Sequence, residues 1–132
     1  MTGKAVATLA FALVLAAPTA HGRERSPVWV IDGDTIDIRG TRVRVANLDA
    51  PDIGSHAKCA AEAKLGQESK RYAIQLIRGA KRVEIVNPEH LDRYGRTVAH
   101  VSIDGRDFGE TMLRAGQARP WRGRSSDWCS GS

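Results

Sequence analysis

The sequence predicts an α+β domain, mainly β: a small sheet or barrel of short antiparallel strands, one long helix and a short second helix. Three observations carry this. Short runs that alternate apolar and polar residues lie on both sides of residues 60–78, that stretch itself has helical spacing, and Gly, Pro and Asp-Gly signals punctuate the rest. The 132 residues suffice for one domain and little more.

Val28 to Ile31 reads as a strand, interrupted by Asp32-Gly33-Asp34 as a turn or bulge. Thr35 to Ile38 continues it, with Ile36 and Ile38 on one face and Asp37 on the other. Arg39-Gly40 turns the chain into Thr41–Ala46, where Val43 and Val45 oppose Arg42 and Arg44. Two arginines on one face of a strand whose other face feeds the core are held out where a ligand can reach them. Residues 47–58 read as a loop, marked by Pro51 and Gly54. From Ala60 to Arg78 the apolar stripe runs through Ala61, Leu65, Tyr72, Leu76 and Ile77, with Gly79 in a C-cap position. Arg82–Val86 is a strand ended by Asn87-Pro88, and Thr97–Ile103 is another, followed by an Asp104-Gly105 hairpin turn. Asp107 and Glu110 suit the cap of a short helix carrying Phe108, Met112 and Leu113, closed by Gly116.

The first residues read differently. Lys4 precedes an apolar run, Ala5 to Ala17, that is too short to span a bilayer, and Ala20-His21-Gly22 offers small residues around a cleavage point. Residues 1–22 are therefore expected to be a secretory signal peptide, cut after Gly22 or Ala20, and 23–132 a single domain exported to the periplasm or the medium. Cys59 and Cys129 are the only cysteines, and in an exported chain two thiols most simply pair. Such a bridge would close a loop of about 70 residues and contribute roughly 4 kcal/mol in the chain-entropy account. The absence of a CxxC or a paired-histidine spacing counts against a metal site built on them. His21, His56, His90 and His100 show no ligand or nucleophile spacing either and read as surface or loop residues.

Charge narrows the partner. Lys+Arg number 20 against 15 Asp+Glu, and Arg114, Arg119, Arg122 and Arg124 crowd the C-terminus. A basic, arginine-rich balance suits a polyanion. Three separated segments sharpen this: Asp32-Gly33-Asp34-Thr35, then Arg44 to Asp52 (RVANLDAPD), then Asp92-Arg93-Tyr94-Gly95-Arg96. Carboxylates can hold a hard divalent cation, and guanidinium forks can clamp a phosphate. Carboxylates flanked by arginines are what metal-assisted phosphodiester hydrolysis requires.

In this order the three segments resemble the staphylococcal nuclease (thermonuclease) family, and the likeness runs from about Val28 to about Arg119. The resemblance implies a five-stranded OB-fold barrel and a calcium-dependent nuclease acting on DNA or RNA. It further implies low sequence specificity, a preference for single strands, endonucleolytic cutting and 3′-phosphate products. It gives Asp34 and Asp49 as calcium ligands together with the backbone carbonyl of Ala50, although manganese accepts the same oxygen donors. Arg44 and Arg96 become the phosphate-clamping, transition-state-stabilising residues, and Asp52 the base that activates water. Arg93 and Tyr94 match positions that contact a terminal phosphate of the bound nucleotide. Tyr94 is read equally well as core packing.

The chain departs from the family pattern in three places. Asp52 stands where the family carries glutamate, one methylene and about 1.5 Å longer. Trp121 ends a segment where the family has a tyrosine that helps hold the nucleotide, so it offers either a stacking face or a cover for the barrel end. The short stretch after Trp121 leaves no room for the family's last helix, a role the Cys59–Cys129 bridge would take over. The expected protein is a monomer with no stable membrane association after cleavage. The competing reading is an OB-fold module that binds nucleic acid without cutting it.

Overall fold

A computed structural model describes residues 1–17 and 27–130. The expected cleavage point at Ala20 to Gly22 and the start of the exported domain at Arg23 lie outside the described residues. Residues 1–17 form no helix or strand and are exposed, and among the described residues no helix is long and apolar enough to cross a membrane.

The architecture is α+β and mostly β. Strands β1 (Val28–Asp32), β2 (Thr35–Ile38) and β3 (Thr41–Val45) form an antiparallel meander, followed by a short β4 (Leu48–Asp49) and helix α1 (Ala60–Gly79). Then come β5 (Val83–Leu91), β6 (Thr97–Ile103), β7 (Arg106–Asp107), helix α2 (Phe108–Arg114) and β8 (Arg119–Pro120). The main sheet runs β1-β2-β3-β6-β5, with β7 on β6, and β4 pairs with β8 apart from it. The five long strands are those of the OB barrel. Arg39, in the β2–β3 turn, donates from Nη2 to the Val83 carbonyl of β5 at 3.1 Å and ties distant strands together.

One difference from the expected antiparallel set lies at β3 and β6, which run parallel, Val43 opposite Thr97 and Val45 opposite Ala99. Curling the sheet around one core brings the end of the first meander beside the strand that follows the helix, and only that direction remains. The core is what the alternation dictates: Ile36, Ile38, Val43, Val45, Ala99, Val101 and Ile103 point inward, capped by Phe108 and Met112 of α2.

The structure departs from the sequence-based expectations at four places. β5 does not stop at Val86: Asn87 takes a left-handed φ of 47° and the register shifts between Val86 and His90, so Pro88 sits in a bulge where it owes no hydrogen bond. Helix α1 runs through Gly79, and Ala80 is its C-cap. The most deeply buried face of α1 is Glu62, Gly66, Ser69 and Ala73, whereas Leu65 is 39% exposed and Tyr72, Leu76 and Ile77 are only partly covered. At Gly66 and Ser69 the helix presses on the 50s loop and the β1–β2 turn, where close approach selects small residues, while Tyr72, Leu76 and Ile77 of the predicted stripe pack against the core. Finally, residues 47–58 are not plain loop, since they include β4 and a 3₁₀ turn at Gly54–His56.

Candidate active site

The site is assembled from strand ends. After β1 the chain turns at Gly33, and the Asp32 carboxylate accepts the Asp34 N–H at 3.0 Å, fixing the turn. Asp34 is thereby driven inward, with 8% exposure. Its Oδ1 accepts the Thr35 hydroxyl at 3.1 Å and its Oδ2 accepts the Ala50 N–H at 2.8 Å, so the DGDT turn is stitched to the segment after β4. Burial, followed by repulsion from Asp32, outweighs the attraction of Arg44 and pushes the Asp34 carboxyl up to about 7.

Arg44 leaves β3 beside it, with Nη2 at 3.5 Å from Asp34 Oδ2. Its Nη1 donates to the carbonyls of Val45 at 2.9 Å and Leu48 at 2.6 Å, which pins the guanidinium against β4. Arg96 is held by a different device. Asp92 accepts the Arg96 Nε–H at 2.6 Å and the main-chain N–H groups of Tyr94 at 2.9 Å and Arg96 at 3.0 Å, so one carboxylate shapes the DRYGR turn and aims its last arginine. Both arginines line one cleft of about 470 Å³, with Arg93, Tyr94 and Trp121 also on its walls. Tyr94 is 67% exposed, so it is not core packing, and Arg93 and Arg96 stand over its ring at 4.8 and 5.2 Å from the centroid. Trp121 is 42% exposed, its ring 5.6 Å from the Arg44 guanidinium carbon. His90, read as an idle surface residue, also lines this cleft, and His100 pairs with Asp107 at 3.2 Å.

Asp49 is buried at the end of β4, and its Oδ2 accepts the N–H of Ser126 at 2.6 Å, a bond across most of the sequence. Asp52 is half-buried on the α1 side. Desolvation, then the charges of Glu62, Asp32 and Asp49, hold its carboxyl above the ordinary range, against a smaller opposing pull from His56. The Cys59–Cys129 disulfide is present, its Cα atoms 6.1 Å apart, and it fastens the tail carrying Ser126 to the N-cap of α1.

Four residues missed in the sequence support this arrangement. Glu62, 2% exposed, accepts the N–H groups of Asp52 at 3.2 Å and Lys58 at 2.7 Å and so braces the loop that carries Asp52. A charged residue at a helix position facing the core was its only signal. Asp92 belonged to the DRYGR segment but was given no role of its own. Ser69 packs against Gly33, where an added Cβ would stand 2.0 Å from its Oγ. Ser126 had no signal, since only its backbone acts.

Whether a cation suits this place is decided by donor chemistry. The side chains on hand are carboxylates, a hard oxygen set, and Asp34 is held near neutrality by burial and a second carboxylate, a cost that a divalent ion would offset. Among the described residues no three His, Cys, Asp or Glu side chains gather as a ready-made metal cluster, so main-chain and water oxygens would have to complete the shell. With that completion the residues fit a calcium-type ion.

The family profile described as Staphylococcal nuclease homologue matches residues 42–128, from β3 through the tail. The chain belongs to that family. Individual relatives of this staphylococcal nuclease homologue include Endonuclease YncB of Bacillus subtilis (strain 168), 31% identical over 94 residues, covering 67% of this chain and 44% of the relative. The Micrococcal nuclease of Shigella flexneri is 32% identical over 96 residues, covering 70% of this chain and 49% of its own length. Protein ParB of Escherichia coli is 30% identical over 143 residues, covering 94% of this chain and 72% of the relative. The homologue thus spans less than half the length of the first two.

Proposed function

We propose that the protein is an exported nuclease that hydrolyses phosphodiester bonds of DNA or RNA. The observation that carries this reading is the convergence of Arg44 and Arg96 on one aromatic-walled cleft beside the buried Asp34. Two relatives named as an endonuclease and a micrococcal nuclease support it.

The residues divide the work as follows. Arg96, its Nε anchored by Asp92, keeps both terminal nitrogens for a phosphate, and Arg44 keeps donors beyond the two carbonyls that fix it. Charge that develops on the non-bridging oxygens is met by these preset guanidinium groups. Asp52, held above the ordinary carboxylate range, takes a proton from the attacking water. The new P–O bond forms as the bond to the 5′ oxygen breaks, and that oxygen takes up a proton from solvent to leave as a 5′-hydroxyl, with the phosphate on the 3′ side. A hard divalent cation, read as calcium, would be held by Asp34, Asp49 and the Ala50 carbonyl and would supply further positive charge at the phosphate. Tyr94 and Trp121 offer faces to unstacked bases, which favours single strands, and contacts to the backbone alone give little sequence preference. The apolar run before Ala17 supports export, and the protein acts as a monomer.

The test incubates the protein with single-stranded DNA in calcium, in magnesium and in chelator, beside Asp34→Ala, Asp52→Ala and Asp52→Glu variants. Calcium-dependent cutting, lost in Asp34→Ala and Asp52→Ala and faster in Asp52→Glu, is the expected pattern. Salt-sensitive binding with no cutting in any metal, even in Asp52→Glu, would leave a binding module and remove the enzyme.

A further inference from the structure

A second cleft, of about 590 Å³, lies on the tail after β8, and Arg119, Arg122 and Arg124 line it. It shares a wall with the first. Along the tail, Trp121 and Gly123 face the cleft of Arg44 and Arg96, while Arg122 and Arg124 face this one. We propose that this second cleft is a phosphate track for the nucleic-acid strand beyond the scissile bond, a reading that rests on the nuclease function.

Three features support a built track rather than a solvated charge run. Arg122 and Arg124 are exposed, and neither enters an ion pair among the described residues. The one carboxylate lining the cleft is occupied: Asp127 Oδ1 accepts the N–H groups of Cys129 at 2.9 Å and Ser130 at 3.1 Å. The frame is also rigid. Arg119 donates to the Asp127 carbonyl at 3.0 Å and lies 4.1 Å from the centroid of the buried Trp128 ring, and the Trp121 N–H bond to the Asn47 carbonyl at 2.9 Å and the Ser126–Asp49 bond hold the two ends of the stretch that carries Arg122 and Arg124. The held backbone fixes where the Arg122 and Arg124 side chains begin, and the guanidinium fork matches a phosphate's oxygens. A strand lying in the first cleft needs only to cross the tail to reach them.

The experiment measures binding of a labelled single-stranded oligonucleotide long enough to reach both clefts, beside a dinucleotide that fills only the first. Chelator is present throughout, and salt is varied from about 50 to about 200 mM. Arg122→Ala/Arg124→Ala removes two cations that support no core contact, and Arg71→Ala/Arg78→Ala removes two exposed cations from α1 as a control for net charge. The tail pair is expected to weaken long-strand binding about tenfold or more and to lower the salt slope by about 1.4, at roughly 0.7 per phosphate contact, with dinucleotide binding unchanged. An unchanged slope, or an equal loss in the α1 pair, overturns the track. Cutting by the unaltered protein in calcium is read separately. Tail-dependent binding without cutting sinks the nuclease and keeps the track, whereas cutting without tail dependence does the reverse.

Discussion

Asp34 allows the sharpest prediction, because its carboxyl rises from 3.8 to about 7 through burial and the neighbouring Asp32. In the unfolded chain it loses its proton near 3.8, but in the metal-free fold it keeps that proton until about 7. Between those values the folded state binds more protons than the unfolded one, so stability falls as pH rises through that window. The lift is about three pH units, which puts the loss on the order of 4 kcal/mol, a large share of an ordinary domain's stability. Asp34→Asn keeps the shape and cannot ionise. The assay is urea unfolding followed by tryptophan fluorescence in chelator, from about pH 4 to about pH 8, for both proteins. Subtracting one curve from the other cancels the groups that do not interact with Asp34 and leaves the titration it shares with Asp32. Asp34→Asn should gain steadily on the parent between the two values and level off above about 7. A difference that stays flat across this range would mean that Asp34 ionises as an ordinary surface carboxylate, and the argument that it awaits a cation would fall with it.

Three further outcomes follow from the packing. Gly66→Ala would set a Cβ 2.2 Å from the Asp52 carbonyl, so the variant should lose about 1–3 kcal/mol in denaturant unfolding, and hydrolysis should slow as Asp52 shifts. Replacing Cys59 and Cys129 by serine frees a loop spanning 70 residues and should lower stability by about 4 kcal/mol, read as a drop in Tm matching that of the reduced parent. Asp92→Ala releases Arg96 Nε, and kcat on single-stranded DNA should fall about tenfold or more with the fold intact by circular dichroism.

The strands and the long helix were legible because period-2 and helical patterns survive in β2, β3, β6 and α1. The site residues were legible as types and order, since DGDT, the RVANLDAPD stretch and DRYGR are local in sequence. What brings them together was not. The Ala50 amide meets Asp34 across 16 positions and the Ser126 amide meets Asp49 across 77, and a backbone amide carries no side-chain signature. The helix face was legible in part, since Tyr72, Leu76 and Ile77 pack against the core as the spacing predicts whereas Ala61 and Leu65 are exposed. Apolar spacing ranks residues by transfer from water, whereas Gly66 and Ser69 are buried by closeness to Asp52 and Gly33. The strand through Pro88 was missed because proline normally ends pairing, and the bulge at Asn87 that tolerates it is a matter of φ rather than composition.

Five aspartates of this chain fall into two kinds, told apart by the direction in which the fold moves them. Around Asp92, burial pushes upward but is outweighed by the Arg96 amide, the Arg96 guanidinium and the Tyr94 amide, and the carboxyl settles low. The amides of Arg82 and Lys81 lower Asp104, and the Ser130 hydroxyl with the Cys129 and Ser130 amides lowers Asp127. These three carboxylates are wanted ionised by the folded chain, and their reward is a closed turn. Asp34 and Asp52 move the other way, held in their charged form only against burial and neighbouring carboxylates. Folding alone gives no reason to gather acids on one side of α1 at such a cost, since apolar residues of similar size would serve the core better. Groups kept in an unfavourable charge state belong where a ligand, a cation or a proton in transit relieves them. The aspartates that the fold stabilises build the frame, and of the two it destabilises Asp34 stands beside Arg44 at the edge of the cleft while Asp52 sits on the α1 side, its amide braced by Glu62.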